Sequence, residues 1–245
     1  MELDALAFGA HADDVELACG GTLIKLASLG HKTGVVVLTR GEMASRGSAG
    51  IRAREFKNAA GIMGLAAYEM LNIPDARVEV TWPNKLKIIE RLRVYRPGII
   101  FAPYWIDRHP DHEQTSLLVR QAAYLAGLKK IKTGQPAFRP HKVIYYPSRF
   151  EFAPSFIVDI SDWHEQKMKA ITAYASQFHS RDRDGSWEAA TLIGRPEFLD
   201  GIETRDKQYG AYIGAKYGEP FLVREAVKLH DPVDFFGAEY LWTRP

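Results

Sequence analysis

Apolar, β-branched runs alternate with stretches of helical periodicity through the first half of this chain, and few folds accommodate that rhythm. Residues 3–9, 34–39, 69–73 and 98–103 read as strands. Apolar residues recur at helical spacing over 16–29, 51–63 and 84–95, and a further helix follows over 111–125. Breakers stand where those helices must stop, at Gly30, Gly64, Arg96-Pro97-Gly98 and Gly127. Strands joined through helices by short connections become parallel neighbours, covered on both faces and crossed over right-handedly. The expected fold is therefore α/β, a Rossmann-like, mainly parallel sheet with helices on both faces. Further strands are expected at 142–147 and 156–160, with helices at about 162–176 and 195–213. Residues 40–50 and 178–194, rich in small or charged residues, read as loops, the second a mobile one. No repeat, low-complexity tract or linker divides the chain, so a single domain over 1–245 is expected.

Composition narrows the partners. A formal charge of +2 across 245 residues, with only Lys129-Lys130-Ile131-Lys132 as a basic run, gives no reason to expect nucleic acid. No apolar run approaches the ~18 residues of a membrane span, and the first residues lack a secretory pattern. One cysteine, Cys19, excludes an internal disulfide and fits a reducing compartment. A cytoplasmic protein with no membrane partner is expected.

Two polar clusters stand at strand ends. The first, Ala10-His11-Ala12-Asp13-Asp14-Val15-Glu16, follows the strand at 3–9 and precedes Cys19-Gly20-Gly21-Thr22; the second, Asp107-Arg108-His109-Pro110-Asp111-His112, follows the strand at 98–103. In open α/β sheets, ligands bind in the crevice beyond the carboxyl ends of the strands. A catalytic zinc takes three protein ligands and leaves a position for water. His11 and Asp14, three apart where strand turns to helix, can aim at one point, and His112 would complete a His₂Asp set. Asp13 points elsewhere and could hold the water, whose pKa the metal lowers from about 15.7 toward ~7. Each piece also has a plainer reading. Asp13 or Asp14 suits a helix N-cap, Asp13-x-x-Glu16 resembles a capping box, and Gly20-Gly21 suits close helix–sheet packing. His109 and Asp111 sit equally well at a helix start with Pro110 in its first turn. The pairing of the clusters, rather than either alone, favours a metal site.

These motifs resemble the LmbE/PIG-L family of zinc-dependent N-deacetylases, whose signature is AHPDDxE with a downstream GG, plus a later HPDH. Ala12 replaces the usual proline, a residue that mainly stiffens the turn. The resemblance extends through Leu38-Thr39-Arg40-Gly41-Glu42, Ile51-Arg52-Ala53-Arg54-Glu55, Tyr174-Ala175-Ser176-Gln177-Phe178 and Tyr217-Gly218-Glu219-Pro220-Phe221. It is nearest to the branch that deacetylates N-acetylglucosaminyl-malate in bacillithiol synthesis. The resemblance implies His11, Asp14 and His112 as Zn2+ ligands and Asp13 as general base. It further implies His109 as an electrostatic or general-acid histidine oriented and kept protonated by Asp111. Arg52 matches a residue that contacts substrate hydroxyls, and Arg108 one that faces aglycone carboxylates. Some members place a tyrosine near the oxyanion on a later loop. None stands in 178–194 here, which leaves Tyr209 as the substitute.

The implied partner is a small N-acetylated amino-sugar substrate, and a homo-oligomer is expected from the resemblance alone. Two other classes compete: a metal- or sugar-binding module without turnover, and a Rossmann-like nucleotide binder. The latter lacks the glycine-rich turn that cradles phosphate. Within the deacetylases, chitooligosaccharide and mycothiol-type amides remain alternatives to the malate conjugate.

Overall fold

The computed structural model describes residues 1–44, 46–178, 192–195 and 197–237. The elements run β1 (Ala5–Gly9), α1 (Asp14–Ser28), β2 (Thr33–Val37), α2 (Ala49–Met63), β3 (Ala67–Met70), α3 (Trp82–Tyr95) and β4 (Ile99–Pro103). They continue with α4 (Pro110–Leu125), β5 (Lys142–Tyr146), β6 (Phe156–Asp159), α5 (His164–Thr172), α6 (Glu197–Ala211), β7 (Gly218–Phe221) and α7 (Pro232–Gly237). Five strands form one all-parallel sheet in the order β3-β2-β1-β4-β5.

Alternate strand residues divide the interior into two cores. Leu6, Phe8, Val36, Leu38 and Ile100 pack with Ile88, Leu92, Leu118 and Ala122 from α3 and α4. Ala5, Ala7, Val35, Val37 and Phe101 face the other way, onto Leu23, Phe56, Met63 and Ile171 from α1, α2 and α5. Each fully buried large apolar side chain stabilises by about 1.5–3 kcal/mol, so both faces are committed. Helices on both faces follow directly.

Local chemistry sets the helix ends. Ser48 caps α2 by accepting from the Ile51 N–H at 3.3 Å, so that helix starts earlier than 51. It stops at Gly64, whose φ of 68° is left-handed. Beyond α4, the buried Arg93 guanidinium binds the carbonyls of Ala126, Leu128 and Ile131 and the Thr133 hydroxyl, pinning a connection that would otherwise leave acceptors unmatched.

The second half departs from expectation. β6 lies outside the main sheet and pairs antiparallel with β7, a strand the sequence reading did not anticipate. Gly-Glu-Pro-Phe lacks the β-branched residues that mark a strand. Mutual backbone bonds between Tyr145 and Leu222, at 2.8 and 2.9 Å, fasten this small ribbon to the edge of β5. The helices expected at 162–176 and 195–213 are shorter, at 164–172 and 197–211, and α7 was not anticipated. Most of 178–194, including the expected mobile loop, lies outside the described residues.

The sheet order reverses between β1 and β4, which are neighbours although β2 and β3 intervene in the chain. The loops leaving these two strands therefore diverge to open a crevice. Both polar clusters run from those loops into the first turns of α1 and α4.

Candidate active site and metal centre

From β1 the chain turns sharply into α1. The Asp14 carboxylate accepts the His11 backbone N–H at 2.9 Å, which fixes the turn. Asp13 stands at the N-cap with φ 107° and makes no side-chain cap bond. Its carboxylate is thus turned away from the helix it precedes. Glu16 does not complete a capping box either; it is buried and accepts from the Tyr174 hydroxyl at 2.7 Å.

His11, Asp14 and His112 offer donor atoms that all lie within 4.8 Å of one another. His11 Nδ1 is 3.6 Å from Asp14 Oδ2, and His112 Nε2 is 3.2 Å from Asp14 Oδ1. Tetrahedral zinc with bonds near 2.0–2.1 Å separates its donors by about 3.4 Å, which those spacings bracket. The outer nitrogens are engaged as well. His11 Nε2 meets Asp75 Oδ1 at 3.0 Å and Asp111 Oδ2 at 3.4 Å. His112 Nδ1 meets Ser148 Oγ at 3.0 Å and Asp107 Oδ1 at 3.2 Å. Such outer partners fix the ring and its tautomer, as metal-binding histidines require. The donor set fits a divalent cation. His11, His109 and Asp111 form a second group that could hold a metal, but it would compete for His11.

The electrostatics separate the two adjacent acids. Burial pushes Asp13 up to about 6, against the opposing pull of Arg52, whose Nη1 is 3.3 Å from Asp13 Oδ2. Asp14 is also buried, yet His112 and His11 hold it well below the usual range. Burial opposes protonation of His112, but Asp14 and Asp107 bring it up to about 9. One carboxyl is therefore adapted to exchange a proton near neutrality and its neighbour to stay charged. Burial, then the neighbouring His11 and His112, lower His109.

His11, Asp13, Asp14, Arg52, Arg108, His109 and His112 all line one cavity of about 810 Å³, a size suited to a small-molecule ligand. Arg149 and Glu151, beyond β5, and Arg195 and Arg205, before and within α6, complete its rim. Arg108, Arg149 and Arg195 are exposed there, with no ion-pair partner among the described residues.

A family model described as PIG-L, GlcNAc-PI de-N-acetylase, matches residues 6–123, the stretch that carries both clusters. The solved structure of conserved protein TT1542 from Thermus thermophilus matches with a TM-score of 0.84 at 38% identity, covering 94% of this chain and 98% of that one. The chain belongs to the PIG-L family. Among its curated relatives, a diacetylchitobiose deacetylase of Thermococcus kodakarensis is 28% identical, over 90% of this chain and 82% of that one. A probable N-acetyl-alpha-D-glucosaminyl L-malate deacetylase 2 of Bacillus anthracis is 27% identical, over 70% of this chain and 80% of that one.

Within this PIG-L domain some expected roles need correction. The Asp111 carboxylate does not orient His109: it accepts the Ala76 and Val78 N–H groups at 2.8 and 3.2 Å and approaches His11. His109 instead accepts the Asp111 backbone N–H on Nδ1 at 3.2 Å, which places the proton of a neutral ring on Nε2. A histidine kept protonated by Asp111 is not what the structure holds. Tyr209 is buried away from the cavity lining, so it does not supply the oxyanion tyrosine. Arg52 lines the cavity but also pairs with Asp13. The passage of its side chain explains Gly41, at φ 66°, where a Cβ would lie 2.9 Å from Arg52 Nε. Asp75 and Ser148 were missed. Each is an isolated polar residue in a loop, and only its place beyond the end of a parallel strand marks it.

Proposed function

We propose that the protein is a zinc-dependent N-deacetylase acting on an N-acetylated amino-sugar conjugate with an anionic aglycone, of the N-acetylglucosaminyl-malate kind. The hydrolase reading is carried by Asp13, a buried carboxyl with a pKa of about 6 beside the His11, Asp14 and His112 donors. A module that only bound a metal or a sugar has no use for an acid kept out of the donor group and tuned to exchange a proton near neutrality.

Zinc held by His11, Asp14 and His112 would polarise the acetyl carbonyl and acidify a water molecule. Asp13 takes a proton from the attacking water as its oxygen bonds to the carbonyl carbon. His109 offers its Nε2 hydrogen to the oxygen on which negative charge grows, a neutral donor in place of a cationic one. Asp13 then returns the proton to nitrogen as the C–N bond breaks, releasing acetate and a free amine. Throughout, the Arg52 guanidinium restrains Asp13 at 3.3 Å.

Arg108, Arg149 and Arg195 support the anionic aglycone, since a guanidinium fork matches a carboxylate. The longer alignment with the chitobiose-acting relative favours a second reading, a neutral disaccharide. Acetate release from N-acetylglucosaminyl-malate, diacetylchitobiose and free N-acetylglucosamine separates the two. Preference for the malate conjugate is expected, and preference for chitobiose would establish the second reading. Release from none of the three, by zinc-loaded protein, would overturn the deacetylase assignment.

A further inference from the structure

α1 is broken, and the break lies between the metal donor and the rest of the helix. Cys19 has φ −140° and ψ 18°, outside the helical region, with Asp14 five residues upstream. In an unbroken helix the Gly21 N–H would bond the Leu17 carbonyl, and the Thr22 N–H that of Ala18. Here the Gly21 and Thr22 N–H groups donate to the two carboxylate oxygens of Glu219, at 2.9 and 2.7 Å. The Leu17 carbonyl accepts from Arg205 Nη2 at 2.5 Å. Groups freed on both sides of the break are thus received by side chains from β7 and α6.

Those receivers form one buried charge network. Lys167 Nζ, from α5, lies 2.8 Å from Glu219 Oε1 and 2.6 Å from Asp206 Oδ2, and all three residues are wholly buried. Arg205 Nη2 closes the network at 3.2 Å from Asp206 Oδ1. Burial raises the Asp206 carboxyl, but Lys167 and Arg205 outweigh it and hold the group well below its usual range. Gly21 makes room: a Cβ there would fall 2.8 Å from Ile160 Cδ1 and 3.1 Å from Glu219 Oε1. Gly20 has no such need, its nearest neighbour being 3.6 Å away.

Burying this many charges is an inefficient way to hold helices together, because apolar residues of similar volume often do so better. What apolar residues cannot do is bind the N–H groups and carbonyl exposed by a helix break. The segment so freed, Asp14–Ala18, is the one whose Asp14, Leu17 and Ala18 line the cavity.

We propose that Glu219 and Arg205 are positioning residues for the active site: they hold the break in α1 that sets the Asp14 turn against His11 and His112. They act through the backbone of α1, and Lys167 and Asp206 keep them charged and in place. This inference rests on the metal-site reading, though not on the identity of the substrate.

The test compares Glu219→Gln, Arg205→Met and Arg205→Lys with the unaltered protein. Zn2+ affinity is measured by titration without substrate, alongside thermal unfolding, kcat and KM. Glu219→Gln replaces one acceptor with an amide NH₂ that cannot receive an N–H. It should weaken zinc binding about tenfold or more, the range seen when an outer partner of a metal ligand is lost. kcat should fall with it while KM stays within about twofold. Arg205→Met should weaken zinc binding in the same direction, and Arg205→Lys, which keeps a cationic donor, should restore part of the loss. Should Glu219→Gln fail to fold, the Arg205 pair decides, since Arg205 lies at the cavity edge. Lower melting temperatures with unchanged zinc affinity would reduce the network to a structural brace and overturn the proposal. A protein inert toward all acetylated sugars would leave the zinc titration readable, so failure of the deacetylase reading is distinguishable.

Discussion

Asp13 occupies backbone space that few residues other than glycine adopt, at φ 107°, and it is 4% exposed. Such a conformation costs about 1–3 kcal/mol and persists only where its surroundings enforce it; here the Asp14 and Arg52 contacts do so. Asp13→Ala removes the Arg52 contact but leaves the His11 N–H bond to Asp14 that fixes the turn, so zinc should stay bound while kcat falls by roughly 10²- to 10⁴-fold, the contribution typical of a general base. Elemental analysis and steady-state kinetics on the same sample check both halves, and undiminished turnover would remove Asp13 from the mechanism. Because the base must be ionised, kcat/KM should climb with pH as Asp13, whose pKa burial raises, loses its proton. Glu16 gives a stability counterpart. Burial raises it to about 7 from an ordinary 4.5. A carboxyl raised by folding contributes stability fully present below the unfolded value and lost as pH rises through the folded one. Glu16→Gln should thus flatten the fall in stability between about pH 4.5 and 7, by up to about 3 kcal/mol, measured by urea unfolding across that range. That His11, Asp14 and His112 come together could be read from type and spacing, because a shared metal ion would constrain both. The roles of Asp75 and Ser148 could not, since hydrogen-bond partners chosen across the fold leave no local pattern.

The paired glycines of α1 show how two identical residues acquire different tasks. Gly21 faces Ile160 and Glu219 at contact distances that exclude a methyl group, while Gly20 has ordinary clearance. Gly21→Ala should destabilise by about 1–3 kcal/mol through overpacking. Gly20→Ala should be neutral, or stabilising by up to about 1 kcal/mol through better helix propensity. Thermal melts of the two variants side by side decide it, and equal losses would contradict the packing argument. From the residues alone, close helix–sheet packing could be anticipated here, but not which glycine required it or that a charge network lay opposite. The central strands β1, β2 and β4 were legible for a physical reason: strands buried on both faces must be continuously apolar, whereas the partly exposed edge strand β3 starts two residues before its expected position. β7 and the break at Cys19 were not, because a Glu-Pro strand and a non-helical residue inside an apolar periodicity owe their conformations to distant partners. Helix limits moved by a few residues where caps decided, as with Ser48 and α2.

The reversal of strand order between β1 and β4 lets groups from distant parts of the chain meet at one rim. The donors come from the loops after β1 and at the start of α4. Arg108 stands beyond β4, Arg149 beyond β5 and Arg195 just before α6. A chain with a formal charge of only +2 thus gathers Arg108, Arg149 and Arg195, which have no ion-pair partner among the described residues, around the cavity that Asp13 lines. The Asp13, Asp14, Asp75 and Asp107 carboxylates lie in the same cavity lining. Asp13 pairs with Arg52 and the others with His11 or His112; Glu151 and Glu197 line the cavity too, but among the described residues neither pairs with Arg108, Arg149 or Arg195, so these three remain available to an incoming anion. Removing a hydrogen bond to a charged group forfeits about 1.5–3 kcal/mol when it is desolvated, and exposed groups give less. Arg149→Ala and Arg195→Ala should each raise KM for N-acetylglucosaminyl-malate about three- to tenfold, with kcat within about twofold. The KM for diacetylchitobiose, which offers no carboxylate, should move little in either variant. Added salt should raise KM for the malate conjugate alone, because screening weakens exposed charge pairs. Parallel kinetics on the two substrates at low and high ionic strength carry the decision. Equal KM changes on both would make the arginines general sugar contacts, and no change on either would place the aglycone elsewhere along the cavity.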